Sequence, residues 1–144
     1  MINWKKELID ELKSHEARKE AIYNLTERID LTKNQIYNIS ACQTAEKVET
    51  SHDNSDDIRL SKMVELEKLR IRKVITQKRV KLVQKCLDSL SKEQRLIIEH
   101  FYIKRTEGYI AELEEALFLS RTQIYKEKDN ALHRLVELMY GIGE

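Results

Sequence analysis

An all-α fold is the class this sequence predicts, and three observations predict it. The 144 residues include no proline and only three glycines, Gly108, Gly141 and Gly143, so little in the chain interrupts a helix. Lys, Glu and Leu are plentiful, and these side chains lose little freedom on a helix. Apolar residues recur at steps of three and four over most of the length, and no alternating run with a hairpin turn argues for a sheet.

Composition also excludes several classes. Cys42 and Cys86 are too few and too scattered for a disulfide framework or a zinc site. His15, His52, His100 and His133 are dispersed, and none has another histidine or cysteine three or four residues away, so no metal is expected. The opening run MINWKKELIDELK is charged and amphipathic, unlike a signal peptide or a membrane span, which makes a soluble cytoplasmic protein the expectation. No nucleophile, paired-carboxylate or glycine-loop constellation stands out, so neither an enzyme nor a cofactor is expected.

Residues 3–40 predict a first helix with apolar positions at Leu8, Leu12, Ile22, Leu25, Ile29, Ile36 and Ile39. From Ile22 on, with Thr32 filling one place, these positions follow a heptad seam. Between Lys13 and Glu20 only Ala17 is apolar, so a bend or break belongs there. Tyr23 and Tyr37 fit helix packing better than base stacking.

Residues 41–57 lose the period and fill with Ser, Thr, Asp and Asn, which reads as a mobile connection. Asp53, Asn54 or Ser55 would cap the helix that follows.

That second helix, residues 58–90, carries two apolar stripes. One is Leu66, Leu69, Val80, Val83, Leu87 and Leu90; beside it run Leu60, Val64, Ile71, Ile75, Leu82 and Cys86. Two stripes imply partners on two sides. The first helix folded back antiparallel supplies one, and a second copy or the C-terminal domain the other. Residues 1–90 therefore read as a coiled-coil-like helical hairpin, an arm. Lys68 to Lys85 hold eight bases and no acid. They complement the acids of the first helix (Glu7, Asp10, Glu11, Glu16, Glu20, Glu27, Asp30) better than they suit a rod laid along DNA.

Residues 91–144 read as a separate domain. Ser91 and Gln94 form a capping box ahead of the densely apolar helix KEQRLIIEHFYIKR. A turn at 106–109 leads to a short helix from Ile110 to about Leu117, with Ile110, Leu113 and Leu117 inward. A second capping box, Ser120 with Gln123, opens the last helix, and Leu119 with Ile124 can close a hydrophobic staple over it. Ile124, Ala131, Leu132, Leu135 and Leu138 make its apolar stripe, with Lys128 the one polar member. Arg121, Thr122, Gln123, Tyr125, Lys126 and Asp129 lie on the other side. A short helix, a tight turn and a helix glued behind and polar in front predict a helix-turn-helix whose last helix enters a DNA major groove.

The run LSKEQRLIIEHFYIKRTEGYIAELEEALFLSRTQIYKEKDNALHRL resembles the domain of bacterial sigma factors that reads the upstream promoter hexamer (region 4). Within that group it looks most like phage late-gene regulators of the ArpU and RinA type. The matching pieces are Leu90 with Gln94, Arg95 and Ile97; Ile110-Ala111-Glu112; Leu119 through Tyr125; and Ala131-Leu132 before Leu135. They cover about 50 residues, a third of the chain. The family's small residue in the first motif helix falls at Glu114, or at Ala111 with three residues inserted. Its turn glycine falls at Phe118, and a phenylalanine there predicts a turn without a left-handed residue.

The resemblance implies a DNA-binding transcriptional regulator, an activator of phage or prophage late genes working through RNA polymerase. Carried over by position, Arg121, Thr122, Gln123, Tyr125 and Lys126 would face bases, while Arg95 and Ser120 would touch phosphates. The partners implied are double-stranded promoter DNA, RNA polymerase and a second copy joined through the arm, with no membrane. From Ser91 onward, eight Lys or Arg stand against ten Asp or Glu, a balance of −2 that is unusual for a DNA module. Two other readings therefore stay open. One is a DNA-packaging protein like a small terminase subunit, which would assemble as a large ring. The other is an antirepressor or polymerase-interaction protein that grips its partner with an acidic surface and binds no duplex.

Overall fold

The computed structural model describes residues 1–45 and 52–143, with side chains for 1–41 and 56–143. Among the described residues there are six α-helices and no strand. They are α1 (Trp4–Lys13), α2 (His15–Ala45), α3 (His52–Asp88), α4 (Lys92–Ile98), α5 (Tyr109–Leu117) and α6 (Arg121–Tyr140), with a π-helical turn, Glu99–Ile103, following α4. The chain is all-α, and none of these helices is long and apolar enough to cross a membrane.

The apolar-poor stretch after Lys13 does hold a break, at Ser14. Its N–H and its hydroxyl both donate to the Asp10 carbonyl, at 3.1 and 2.9 Å. A serine that competes in this way for a helix carbonyl loosens the ladder where no Gly or Pro is needed to do so. The boundaries around the expected connection differ from the reading of the sequence. Helix α2 runs on to Ala45 and α3 begins at His52, so Asp53, Asn54 and Ser55 lie within α3 rather than capping it. Residues 46–51, the middle of that connection, lie outside the described residues.

Two compact units emerge, one of Met1–Arg18 with Arg79–Glu144 and one of Lys19–Lys78. In the second unit α2 and α3 meet through Leu25, Ile29 and Leu69, with Leu66 packed against them. Thr32 occupies its place in the seam, 4% exposed, and its hydroxyl is satisfied by the Arg28 carbonyl at 2.8 Å. Tyr23 and Tyr37 do not pack as expected; they are 74% and 73% exposed, because the α2 seam faces the other way. Likewise the second stripe of α3 is open at Leu60, Val64, Ile71, Ile75 and Leu82, and closes only at Cys86.

The first unit draws in two segments that the sequence pattern had placed in the arm: α1 and the end of α3. Leu8 and Leu12 of α1 are fully buried in one cluster with Val83, Cys86, Leu87 and Leu90, Ile98 of α4, and Ala131, Leu132 and Leu135 of α6. The Trp4 ring lies 4.7 Å from that of Tyr140, and Lys5 Nζ is 3.9 Å from Asp129. Leu138, at the end of the α6 stripe, is 40% exposed and outside this cluster. A second cluster joins Ile97, Phe101, Leu113 and Ile124.

Of the bases between Lys68 and Lys85, Arg79 reaches an acid of the first helices. It makes a two-pronged contact with Glu11, at 2.9 and 3.3 Å, while Arg18 closes on the same carboxylate at 3.1 Å. Burial raises the Cys86 thiol and the Tyr102 and Tyr140 phenols above their ordinary pKa values. All three are therefore neutral at pH 7, as an apolar core requires.

Candidate nucleic-acid interface

The polar edge of α6 begins with its cap. Ser120 is extended (φ −72°, ψ 160°), its hydroxyl accepts from Gln123 N at 3.3 Å, and Gln123 Oε1 accepts from Ser120 N at 2.9 Å. Both halves of the capping box are thus formed. Leu119 packs against the cluster that holds buried Ile124, where a staple would put it. This fixes where the first turn of α6 points.

Before the cap, the chain reverses in two residues, Phe118 and Leu119. So short a reversal needs a left-handed residue, and Phe118 provides it at φ 54°, ψ 35°. The expectation of a turn without such a residue is therefore wrong. Leu119 has to turn inward to staple the helix, which leaves Phe118 as the position that bends. Phe118 is 92% exposed and gains nothing from burial. Phe118→Gly should therefore raise stability, by about 0.5–1 kcal/mol as left-handed strain is relieved against the extra freedom of the unfolded chain. Phe118→Ala, which keeps the strain, should leave a urea unfolding midpoint near that of the parent.

Helix α5 contacts its neighbours through Leu113, fully buried, and Leu117; Ala111 and Glu114 are both exposed, so neither plays the part of a small packed residue. Gly108, left-handed at φ 74°, starts α5 without a side-chain cap. The expected continuous helix through 105 is interrupted: Lys104 N donates to Glu99 O at 2.7 Å, a π turn that delivers Phe101 to the second cluster.

The seven residues singled out in the sequence differ in how available they are. Arg121, Thr122 and Lys126 are exposed on one edge and enter no ion pair or side-chain hydrogen bond among the described residues. Ser120 and Gln123 are exposed too, but each spends an oxygen on the cap, leaving the Gln123 amide NH2 to reach outward. Tyr125 is only 38% exposed, its ring edge-on to Phe101 at 5.7 Å. Arg95 is the least available: it pairs with Asp88 at 3.1 Å and Glu99 at 3.7 Å, so a phosphate there would have to compete with two carboxylates.

Lys128, the polar residue on the apolar stripe, resolves without a conflict. Its side chain is 18% exposed, and Nζ sits 5.5 Å from the Phe101 ring centre, 5.2 Å from that of Tyr125 and 3.5 Å from Asp129. An ammonium over two aromatic faces is at home on a half-buried stripe. Gln94 Nε2 donates to Glu127 Oε2 at 3.4 Å, tying α4 to α6. Reasoning from the sequence missed Phe118 and Lys128 as parts of this site. The two-residue gap between Leu117 and the Ser120 cap was the signal for the first, and Phe101 and Tyr125 near a lone stripe lysine for the second.

Among the described residues no three His, Cys, Asp or Glu side chains gather as a metal site. The chain matches no family model, no curated protein and no solved structure.

Proposed function

We propose that α5, the Phe118 turn and α6 form a helix-turn-helix that binds DNA by sequence, and that the protein regulates transcription. In the manner of a sigma-factor promoter-reading domain, it would activate phage or prophage late genes. The observation that carries this reading is the edge Arg121-Thr122-Lys126, clear of the protein at the start of a helix whose back is held by Ile124, Ala131, Leu132 and Leu135. An Arg here can pair with guanine and the Gln123 amide with adenine, while Ser120 and the first turn of α6 offer donors to a phosphate. Arg95 serves in this reading only if DNA displaces Asp88 or Glu99.

The small number of available bases on this edge means modest electrostatic affinity, so specificity would have to come from base contacts or from help by polymerase. Glu114 and Glu115, exposed on α5, favour a second reading in which an acidic face grips a protein partner. Duplexes selected from a random pool by the full chain, then titrated in gel shifts over a range of salt, separate the two. Enrichment of a common sequence with binding that weakens as salt rises supports promoter recognition. Failure to retain any duplex at low salt removes it and leaves the acidic face as the working surface.

A further inference from the structure

We infer that copies of this chain associate head to tail through residues 19–78, the outer face of α3 in one copy seated on the outer face of α2 in the next. The inference is independent of the DNA-binding reading, which concerns the other compact unit.

Helix α3 is apolar on two opposite sides. One side carries Leu66 and Leu69 to the seam with α2. Half a turn away lie Leu60, Met63, Val64, Ile71, Val74 and Ile75, each between 48% and 62% exposed. The last three repeat the first three eleven residues on, close to three full turns, so the line drifts only about 20° around the helix between them. From Leu60 to Ile75 the line is about 22 Å long at 1.5 Å per residue. Single exposed aliphatics are ordinary, but two such triplets on one face, parted by Glu67, make a helix-sized docking face. Lys68 and Arg70 border this line on its two sides, and Lys78 lies on it. Its one acid, Glu67, is drawn to Arg70 at 3.8 Å.

Charge chooses the occupant. The same face of a second copy would bring Lys68 and Arg70 against their own kind in either orientation. A lipid surface would suit the basic border, but the line is narrow and holds no aromatic residue to anchor in an interface. Helix α2 of the same unit presents the complement. Opposite its buried Leu25, Ile29 and Thr32 it exposes Tyr23, Leu31 and Tyr37, at 74%, 61% and 73%. Among them on that outward line stand Glu20, Glu27 and Asp30, while the exposed bases of the stretch, Arg28 and Lys33, flank it on either side. One contact would therefore cover both patches, apolar against apolar and acid against base. Because the two faces differ and point away from each other, the association is heterologous, and it extends or closes into a ring rather than stopping at a symmetric pair.

Sedimentation velocity on the full chain tests this. The parent should associate beyond a dimer as concentration rises. Ile71→Glu with Ile75→Glu disables the α3 face, and Tyr23→Lys with Leu31→Lys disables the α2 face; each should weaken association by at least about tenfold. An equimolar mixture of the two variants should form a dimer that grows no further, since each supplies the face that the other lacks. Glu27→Lys with Asp30→Lys gives a second disabled α2 face without apolar loss, and far-ultraviolet circular dichroism reads helix retention in all of them. A parent that stays monomeric, a parent that stops at a closed dimer, variants that associate like the parent, or a mixture that stays monomeric would each overturn the proposal. So would association abolished only by anionic vesicles that capture the α3 face.

Discussion

Leu8→Ala is expected to destabilise the compact unit of α1 and the C-terminal helices by about 3 kcal/mol, from lost transfer energy and the cavity left behind. Leu8 is fully buried, in one cluster with Leu132 and Leu135 on the back of α6 and with Val83 and Leu87 at the end of α3. Neighbours from three other helices line the vacated volume and can close on it only in part, which keeps the cost within the leucine-to-alanine range. Urea titration should show a lower midpoint with an unchanged slope, the signature of lost stability without a change in exposed surface. Ile58→Ala, at a residue 52% exposed on α3, is the control and should cost under about 0.5 kcal/mol. If Leu8→Ala behaved like the control, α1 would be a loose attachment and the core described above would be wrong.

Arg121→Ala should cost on the order of 1–3 kcal/mol in binding to a duplex selected by the parent, with little change toward random duplex. The guanidinium stands at the first position of α6, exposed and without an ion-pair or hydrogen-bond partner among the described residues, so its removal should not disturb the helix. Ala is, if anything, the better helix former. Lys126→Ala, one turn on, should instead weaken selected and random duplexes together if its role is a phosphate contact. Competition titrations at one salt concentration read both. Equal affinity of Arg121→Ala and parent for both duplexes would take base recognition away from this edge.

Much of the fold was legible because helices announce themselves locally. The Ser120–Gln123 box, the Leu119–Ile124 staple and the break near Ser14 all rest on residues within one turn of each other, and all three are seen. What was not legible depends on distance or on compromise. The one-turn spacing of Leu8 and Leu12 says that they need a partner but not which one, and α6 rather than α3 alone supplies much of it. The face that α2 turns to its seam leaves Tyr23 and Tyr37 outside, although large aromatics ordinarily argue for packing. Phe118 shows a residue type overruled by chain length: two residues had to reverse the chain, whatever their preference. Nothing in EHFYI distinguishes a π turn from an α turn by residue type, and the π turn is seen where Phe101 is buried.

The edge itself was legible as a set of polar positions but not as a set of available groups. Arg121, Thr122 and Lys126 stand open, while the carboxylates that occupy Arg95 come from Asp88, at the end of α3, and Glu99, a turn further along its own helix. Pairings of this kind are decided by side-chain reach and not by periodicity.

The discontinuity of the first compact unit bears on how the protein is made. Leu8 and Leu12 leave the ribosome early, yet their partners Leu132 and Leu135 are synthesised more than 100 residues later. At roughly 5–20 residues per second, the nascent α1 waits on the order of ten seconds with a greasy side uncovered. That interval is when chaperones would find it, and when neighbouring chains on one polysome could trade their first helices.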